Sequence, residues 1–194
     1  TPKTVGAFVD YSRRLLLQSS VDVEQKIRDD IAEVIALELD RSAIYGTGSS
    51  NQPLGVKDTT GIGSQALTSA GTFAEFIAME TAAAVANARV DNMFYLMNPT
   101  TRGALKSTEK ATGTGQFVFG DDNRVNGYNT VVSNQLENND VLFGDFSKFM
   151  IGFWSGLDLT VDPFAGATSG NVRVIALQDV DYAISQPGAF VFGT

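Results

Sequence analysis

A chain of 194 residues with 43% hydrophobic and 19% charged residues can bury a substantial core, as one large domain or two small ones, and its composition excludes a disordered segment. Its 14 basic and 22 acidic residues leave a formal charge of -8 with no Lys/Arg cluster, which argues against a general nucleic-acid-binding surface. Cys and His are both absent, so thiol and imidazole catalysis, thiolate or histidine metal sites and disulfides are excluded.

In chain order, Val5, Ala7 and Val9 fall on one face and Phe8 on the other, which predicts a strand from about Thr4 to Ser12. Arg13 to Gln18 reads as a short helix or an extended continuation. The first residue is Thr1, not Met, and the chain is read as a processed or trimmed piece of a longer product. The spacing then predicts a long helix over 22–45, about six turns or roughly 33 Å. Val23, Ile27, Ile31, Val34 and Ile35 form its apolar face, and Asp22, Lys26, Asp29, Asp30 and Glu33 occupy the others. Asp22 is the expected N-cap, with Gln25 three residues on, and Gly46 the expected stop.

The following stretch, GTGSSNQPLGVKDTTGIGSQ, is read as a turn region. A phosphate cradle would need a strand running into a helix and a Gly-Lys-Ser/Thr element, and neither is present. A second helix is predicted over Thr72 to Ala88, with a Thr72/Glu75 capping box and an anchoring face of Phe73, Phe76 and Ile77. Met93 to Met97 reads as a short strand. Asn98 caps the next helix, with Pro99 at its first position, and that helix runs to about Ser107. Ser107-Thr-Glu-Lys110 fits a Ser-x-x-Lys pattern, but no Ser-Asp-Asn or Lys-Thr-Gly element accompanies it, so it reads as a solvated helix end.

From Gln116 the chain is strand-rich: QFVF, YNTVV, DVLFGD, KFMIGFW, LDLTVD, NVRVIAL and AFVFG. Asp121-Asp122-Asn123 reads as a turn, because the alternating oxygens and closing Glu of a calcium loop are missing. Trp154 is expected in a core or an interface. Asp158 and Asp162 flank a strand without a partner for acid–base work. No catalytic residue, cofactor or metal site is assigned. No apolar run reaches the ~18 to 20 residues of a membrane helix, and no membrane partner is expected.

The order of elements carries more information than any single motif. A strand leads into a long acidic helix ending Asp40-Arg-Ser-Ala-Ile-Tyr-Gly46-Thr-Gly48, and Gln52-Pro53-Leu54-Gly55 follows. Later come Phe94-Tyr-Leu-Met-Asn98-Pro99, Phe117-Val-Phe119-Gly120, Gly127-Tyr-Asn-Thr-Val131-Val132 and Phe143-Gly144-Asp145-Phe146. This series resembles the major capsid proteins of tailed bacteriophages, the Hong Kong ninety-seven fold, over nearly all 194 residues. The positions that match the family's motifs are Asp40, Gly46, Gly48, Pro53, Gly55, Asn98, Pro99, Gly127, Gly144 and Asp145. Asn129 and Thr130 depart from the proline usual there.

The resemblance implies an α+β fold with a peripheral domain (1–47 and 136–181: spine helix plus sheet) and an axial domain (48–135 and 182–194: central sheet flanked by helices). It places the family's N-terminal arm, and the outgoing strand of its extended loop, before Thr1, so this chain alone is expected to assemble poorly or only into rings. Asn171 lies near the acceptor region that some members use for cross-linking, but the lysine donor would sit in that loop, and the chemistry is not carried over. The implied function is structural: self-assembly into pentamers and hexamers of a phage or prophage head enclosing DNA. The implied partners are further copies of the chain, with scaffolding or portal proteins and non-specifically held DNA. The implied location is the virion, after assembly in the bacterial host's cytoplasm. Other readings are an encapsulin-like nanocompartment shell, an enzyme built on carboxylates or on the Ser107/Lys110 pair, and a monomeric binding module.

Overall fold

A computed structural model describes residues 1–12, 14, 23–89 and 92–194. The expected Asp22 cap, and the Arg13 to Gln18 segment apart from Arg14, lie outside the described residues. The elements in chain order are β1 (Lys3–Ser12), α1 (Val23–Tyr45), β2 (Gly63–Gln65), α2 (Phe73–Val85), β3 (Phe94–Met97), α3 (Pro99–Leu105), β4 (Arg124–Val125), β5 (Tyr128–Val132), β6 (Val141–Gly144), β7 (Phe149–Phe153), β8 (Asp158–Gly166), β9 (Asn171–Ile184) and β10 (Phe190–Gly193). This is an α+β fold of two compact units, one of Thr1–Leu54 with Ile151–Tyr182 and one of Gly55–Met150 with Ala183–Thr194.

The first unit is a sheet built on the long strand β9, with β1 on one side and β7 and β8 on the other. β1 runs antiparallel to β9 from Lys3↔Val180 to Ser12↔Asn171, and β8 is antiparallel to β9 with a register shift between Asp162 and Gly166. Alternation along β1 turns Val5, Ala7, Val9 and Tyr11 to one face, where they meet Ile31 and Ile35 of α1 and Val174 and Ala176 of β9. Tyr182 fastens the end of α1, because its hydroxyl lies 2.9 Å from Ser42 Oγ and donates to Leu39 O at 2.9 Å. Burial, the largest influence, holds the ionisation of that phenol above its ordinary range against the opposing hydrogen bond with Ser42.

One expectation for this unit needs correction. The buried line of α1 is Ile27, Ile31, Ile35 and Leu39, at a strict four-residue spacing, and Val34 is 56% exposed. At ~100° per residue Val34 sits about 80° from the centre of that line, too far round to reach the sheet. Trp154 is surface, at 58% exposure, with its ring lying over Gly152, so of its two expected places this chain's own core is the one it does not occupy.

The second unit carries a six-stranded sheet in the order β2-β10-β6-β3-β5-β4. The pairs β10/β2 and β3/β5 are parallel, and the others are antiparallel. Because β6 lies between β10 and β3, residues 136–150 belong to this unit, and the chain re-enters the first at Ile151, not at Leu136. Residues 48–54 belong to the first unit for the same kind of reason: Thr47 and Leu54 bridge each other directly after α1.

Helix α2 buries Phe76, Met79 and Ala83 among Tyr95, Met97, Val141, Phe143 and Val191, whereas Ile77 is exposed. The rings of Tyr95 and Phe143 are 4.4 Å apart, and Phe76 meets Tyr95 edge-on at 5.3 Å. The Tyr95 hydroxyl donates to Phe76 O at 3.1 Å, which satisfies the one polar atom this ring takes into the core. Helix α2 stops at Val85, because Ala86 is its C-cap and Asn87 turns left-handed at φ 59°. The QFVF segment is not a strand. Val118 and Phe119 are both buried, which breaks the alternation, and their N–H groups donate to Thr108 O and Leu105 O, so the segment wraps the end of α3.

Candidate assembly surfaces

The ten motif positions do not converge on one cleft; they punctuate the chain at four separate turns. In the first turn, Gly46 N donates to Ser42 O at 2.9 Å and ends α1, and Gly48, at φ 68°, donates to Pro53 O at 3.2 Å. Between them Ser50 and Asn51, at φ 51° and 62°, form the left-handed pair of a tight two-residue turn. A Cβ on Gly48 would sit 3.1 Å from Leu54 Cδ1. Gly46, Pro53 and Gly55 are buried, and Asp40 is exposed on α1.

In the second turn, Asn98 Oδ1 accepts from Thr100 N at 2.8 Å and Asn98 Nδ2 donates to Leu136 O at 2.7 Å, so one side chain caps α3 and ties it to the segment entering β6. Pro99 supplies the first helical residue, where a missing N–H costs nothing. The third turn is Asn126-Gly127, at φ 50° and 83°, joining β4 to β5 in the two-residue geometry that this dipeptide favours. In the fourth, Gly144 pairs with Phe190 so closely that an added Cβ would collide with that ring and lie 2.8 Å from Ala189 O. The buried Asp145 receives Ser147 N at 3.0 Å, and its own N–H donates to Ala189 O.

Two groupings escape a reading by motif. Glu80 of α2 accepts from Tyr128 Oη at 2.8 Å and from Asn126 Nδ2, clamping the β4–β5 hairpin to the helix. Arg102 and Lys106 share one aromatic ring, and Lys110 lies over another. The Arg102 guanidinium and Lys106 Nζ lie 5.3 and 5.5 Å from the centroid of Phe119, and Lys110 Nζ lies 5.0 Å from that of Phe73. The signal for the first pair is the four-residue spacing Arg102-x-x-x-Lys106, which helical geometry brings to one side, whereas Lys110 lies beyond the end of α3.

The residues weighed for catalysis or metal binding are engaged locally or exposed. Ser107 Oγ donates to Ala104 O at 2.8 Å, closing the end of α3. Asp122 Oδ1 accepts from Arg124 N, Asp162 Oδ1 accepts from Phe164 N and Ala165 N, and Asp158 is exposed. Two clefts of the first unit, of 90 and 220 Å³, fall below the ~300 Å³ at which small-molecule sites begin. Among the described residues, no group of three carboxylates is placed to hold a metal ion. Exposed apolar side chains are plentiful instead: Phe8, Phe153, Trp154 and Phe164 in the first unit, and Val85, Phe117 and Val131 in the second.

Comparison with known proteins follows the same direction. The Phage capsid family is matched over residues 1–194. The major capsid protein of Halomonas phage phiHAP-1 is 37% identical over 192 residues, covering 98% of this chain and 31% of that protein, so the chain spans about a third of this relative's length. Among solved structures, the capsid of an empty GTA particle superposes with a TM-score of 0.80 at 24% identity, covering 99% of this chain and 71% of that one. A chain of Microbacterium phage Oxtober96 gives 0.81 at 14% identity (100% and 72%), and the virus-like particle from Pyrococcus furiosus gives 0.70 at 17% (100% and 77%).

Proposed function

The chain belongs to the phage capsid family, and on that premise we propose that it is the shell-building body of a major capsid protein, tiling as pentamers and hexamers of an icosahedral phage or prophage head around packaged DNA. The observation that carries this reading is the family match across the whole chain, from Thr1 to Thr194. The surface agrees with it. A subunit that closes a shell needs complementary faces in place of a substrate cleft, and this one presents apolar side chains outward on several elements. A formal charge of -8 keeps its contact with DNA weak and non-specific.

In this proposal the first unit, with α1 as its spine, is the peripheral domain, and the second, with the six-stranded sheet, is the axial domain. Scaffolding and portal proteins are the further partners, assembly takes place in the bacterial host's cytoplasm, and the chain performs no catalysis. A second reading is a nanocompartment shell enclosing a protein cargo.

The test is to express the full gene product and examine it by sizing and negative-stain microscopy. Rings or shells of regular size are expected. A strictly monomeric product under every condition would overturn the proposal. Nuclease-protected DNA inside shells purified from infected or induced cells selects the phage head, and a co-purifying protein cargo without DNA selects the compartment.

A further inference from the structure

Asn126-Gly127 is the one Asn-Gly pair in the 194 residues. It makes the two-residue turn between β4 and β5, where Val125 pairs with Tyr128 and φ is 50° and 83°. Asparagine followed by glycine has a chemistry of its own. The Gly127 nitrogen, giving up its proton, attacks Asn126 Cγ; the new C–N bond closes an imide ring, and Nδ2 takes up a proton and leaves as ammonia. Water then opens the ring at either carbonyl. In sum, water enters, ammonia leaves, and an amide becomes a carboxylate on aspartate or isoaspartate. Glycine favours the attack because no Cβ obstructs the nitrogen, and Gly127 is exposed, with nothing within 4 Å of the place a Cβ would take.

Glu80 of α2 stands against this reaction. One of its carboxylate oxygens accepts from Asn126 Nδ2, and the other accepts from Tyr128 Oη at 2.8 Å. A single carboxylate thus holds both the reactive side chain and the strand that follows it. Ring closure needs the Asn126 side chain to fold back over its own peptide bond with Gly127, and Nδ2 to gain a proton. A side chain pinned to the helix by that same nitrogen is held from both until the bond opens. Val125, on the other side of the turn, is fully buried in the core, so the stem of the hairpin stays docked when its tip opens. Among the described residues Glu80 takes part in no ion pair. A carboxylate at position 126 would therefore replace a hydrogen-bond donor with a second, uncompensated negative charge, and two carboxylates sharing a site disfavour each other's ionisation.

We propose that Asn126 is a site of spontaneous deamidation which Glu80 holds closed, and that the modification, once made, releases the β4–β5 turn from α2. The reaction needs only water and the chain's own backbone nitrogen. It is a property of the second unit and stands whether or not the chain builds a shell.

The test incubates the full gene product at mildly alkaline pH, where the attacking nitrogen loses its proton more readily, and follows the Asn126 peptide by mass spectrometry. Folded protein should deamidate there roughly a hundredfold more slowly than protein unfolded in urea, because two hydrogen bonds to a charged acceptor each shift an opening equilibrium by about tenfold or more. Glu80→Ala removes both bonds and should raise the folded rate roughly tenfold or more; Glu80→Gln, which keeps one acceptor, should raise it less. Hydrogen exchange distinguishes a guard from a general stabiliser: in both variants it should quicken over residues 124–129 and not in β3 or β6. If Glu80→Ala fails to fold, Glu80→Gln carries the comparison. Asn126→Asp, which has the product's charge, should quicken exchange over the same turn. Equal rates in folded and unfolded protein, or an unchanged rate in the folded Glu80 variants, overturn the proposal. So does a slower rate in Glu80→Ala, which would make Glu80 a base for the reaction, or faster exchange throughout the sheet. An Asn126→Asp turn that exchanges like the wild type overturns the release from α2.

Discussion

Asn98 shows how much one side chain can hold in this fold. Its Oδ1 caps α3 and its Nδ2 reaches Leu136 O, so Asn98→Ala removes two hydrogen bonds and leaves a partly buried carbonyl without its donor. A loss of about 2 to 3 kcal/mol is expected in urea denaturation of the chain, and Asn98→Asp, which keeps the cap but not the donor, should recover only part of it. Glu75 makes a different kind of prediction. Burial, the largest single influence, pushes its carboxyl up, but hydrogen bonds from Thr72 and Thr68 together outweigh it and hold the carboxyl below its ordinary range. A carboxyl depressed in the folded state stabilises at neutral pH, and that contribution is lost as pH falls below the ordinary carboxylate range and through the lowered value. Glu75→Gln should therefore be less stable than the wild type at pH 7 and converge on it towards pH 3, measured by urea midpoints; a constant difference across that range would show that the capping carboxylate is not the source. Both caps were legible in the sequence because they are local, three residues or fewer in reach. The Asn98 bond to Leu136 and the clamp of Glu80 on Tyr128 were not, since each spans a long loop closed only by the tertiary fold.

At the scale of elements, α1 separates the part of a pattern that sequence carries from the part that packing decides. Its length and its stop at Gly46 follow from periodicity and punctuation. Which of two overlapping apolar lines is buried depends on where β1 and β9 present Val5, Ala7, Val9, Val174 and Ala176, and that pairing joins opposite ends of the chain. The prediction is a sharp contrast between adjacent positions. Ile31→Ala and Ile35→Ala, with native exposures of 5% and 3%, should each cost about 2 to 5 kcal/mol. Val34→Ala, on the exposed side, should fall within about 0.5 kcal/mol in the isolated chain. Equal effects at positions 34 and 35 in thermal or urea unfolding would mean that the helix is rotated from the orientation described. The QFVF segment failed as a strand for a related reason. Strand propensity was present, but the nearest free carbonyls belonged to Leu105 and Thr108 at the end of α3, and the chain satisfied its N–H groups there.

For the whole molecule, the order of elements was legible and the partition between units was not, because β6 reads as one apolar strand among several until its two neighbours, β3 and β10, are known. The same limit applies to Trp154: aromatic character in an apolar run suits a core, and only the fold shows that Phe153 and Trp154 face outward near the edge of the first unit's sheet. Exposure of a large aromatic side chain is unfavourable unless something covers it, and a shell subunit has neighbours to do so. Because these 194 residues hold a single tryptophan, fluorescence reports on this one place once any tryptophan elsewhere in the full gene product is replaced by phenylalanine. In dilute, unassembled protein Trp154 should emit as a solvated indole and be readily quenched by acrylamide. In rings or shells of the full gene product the emission should shift to the blue, and the quenching constant should fall by roughly half or more, as expected when an aromatic side chain passes from solvent into a packed interface. Trp154→Ala should then leave the unfolding midpoint of the isolated chain nearly unchanged while raising the concentration needed for assembly. Emission and quenching that stay the same between the two states would place Trp154 outside every contact between copies and leave its exposure to be explained by some other partner.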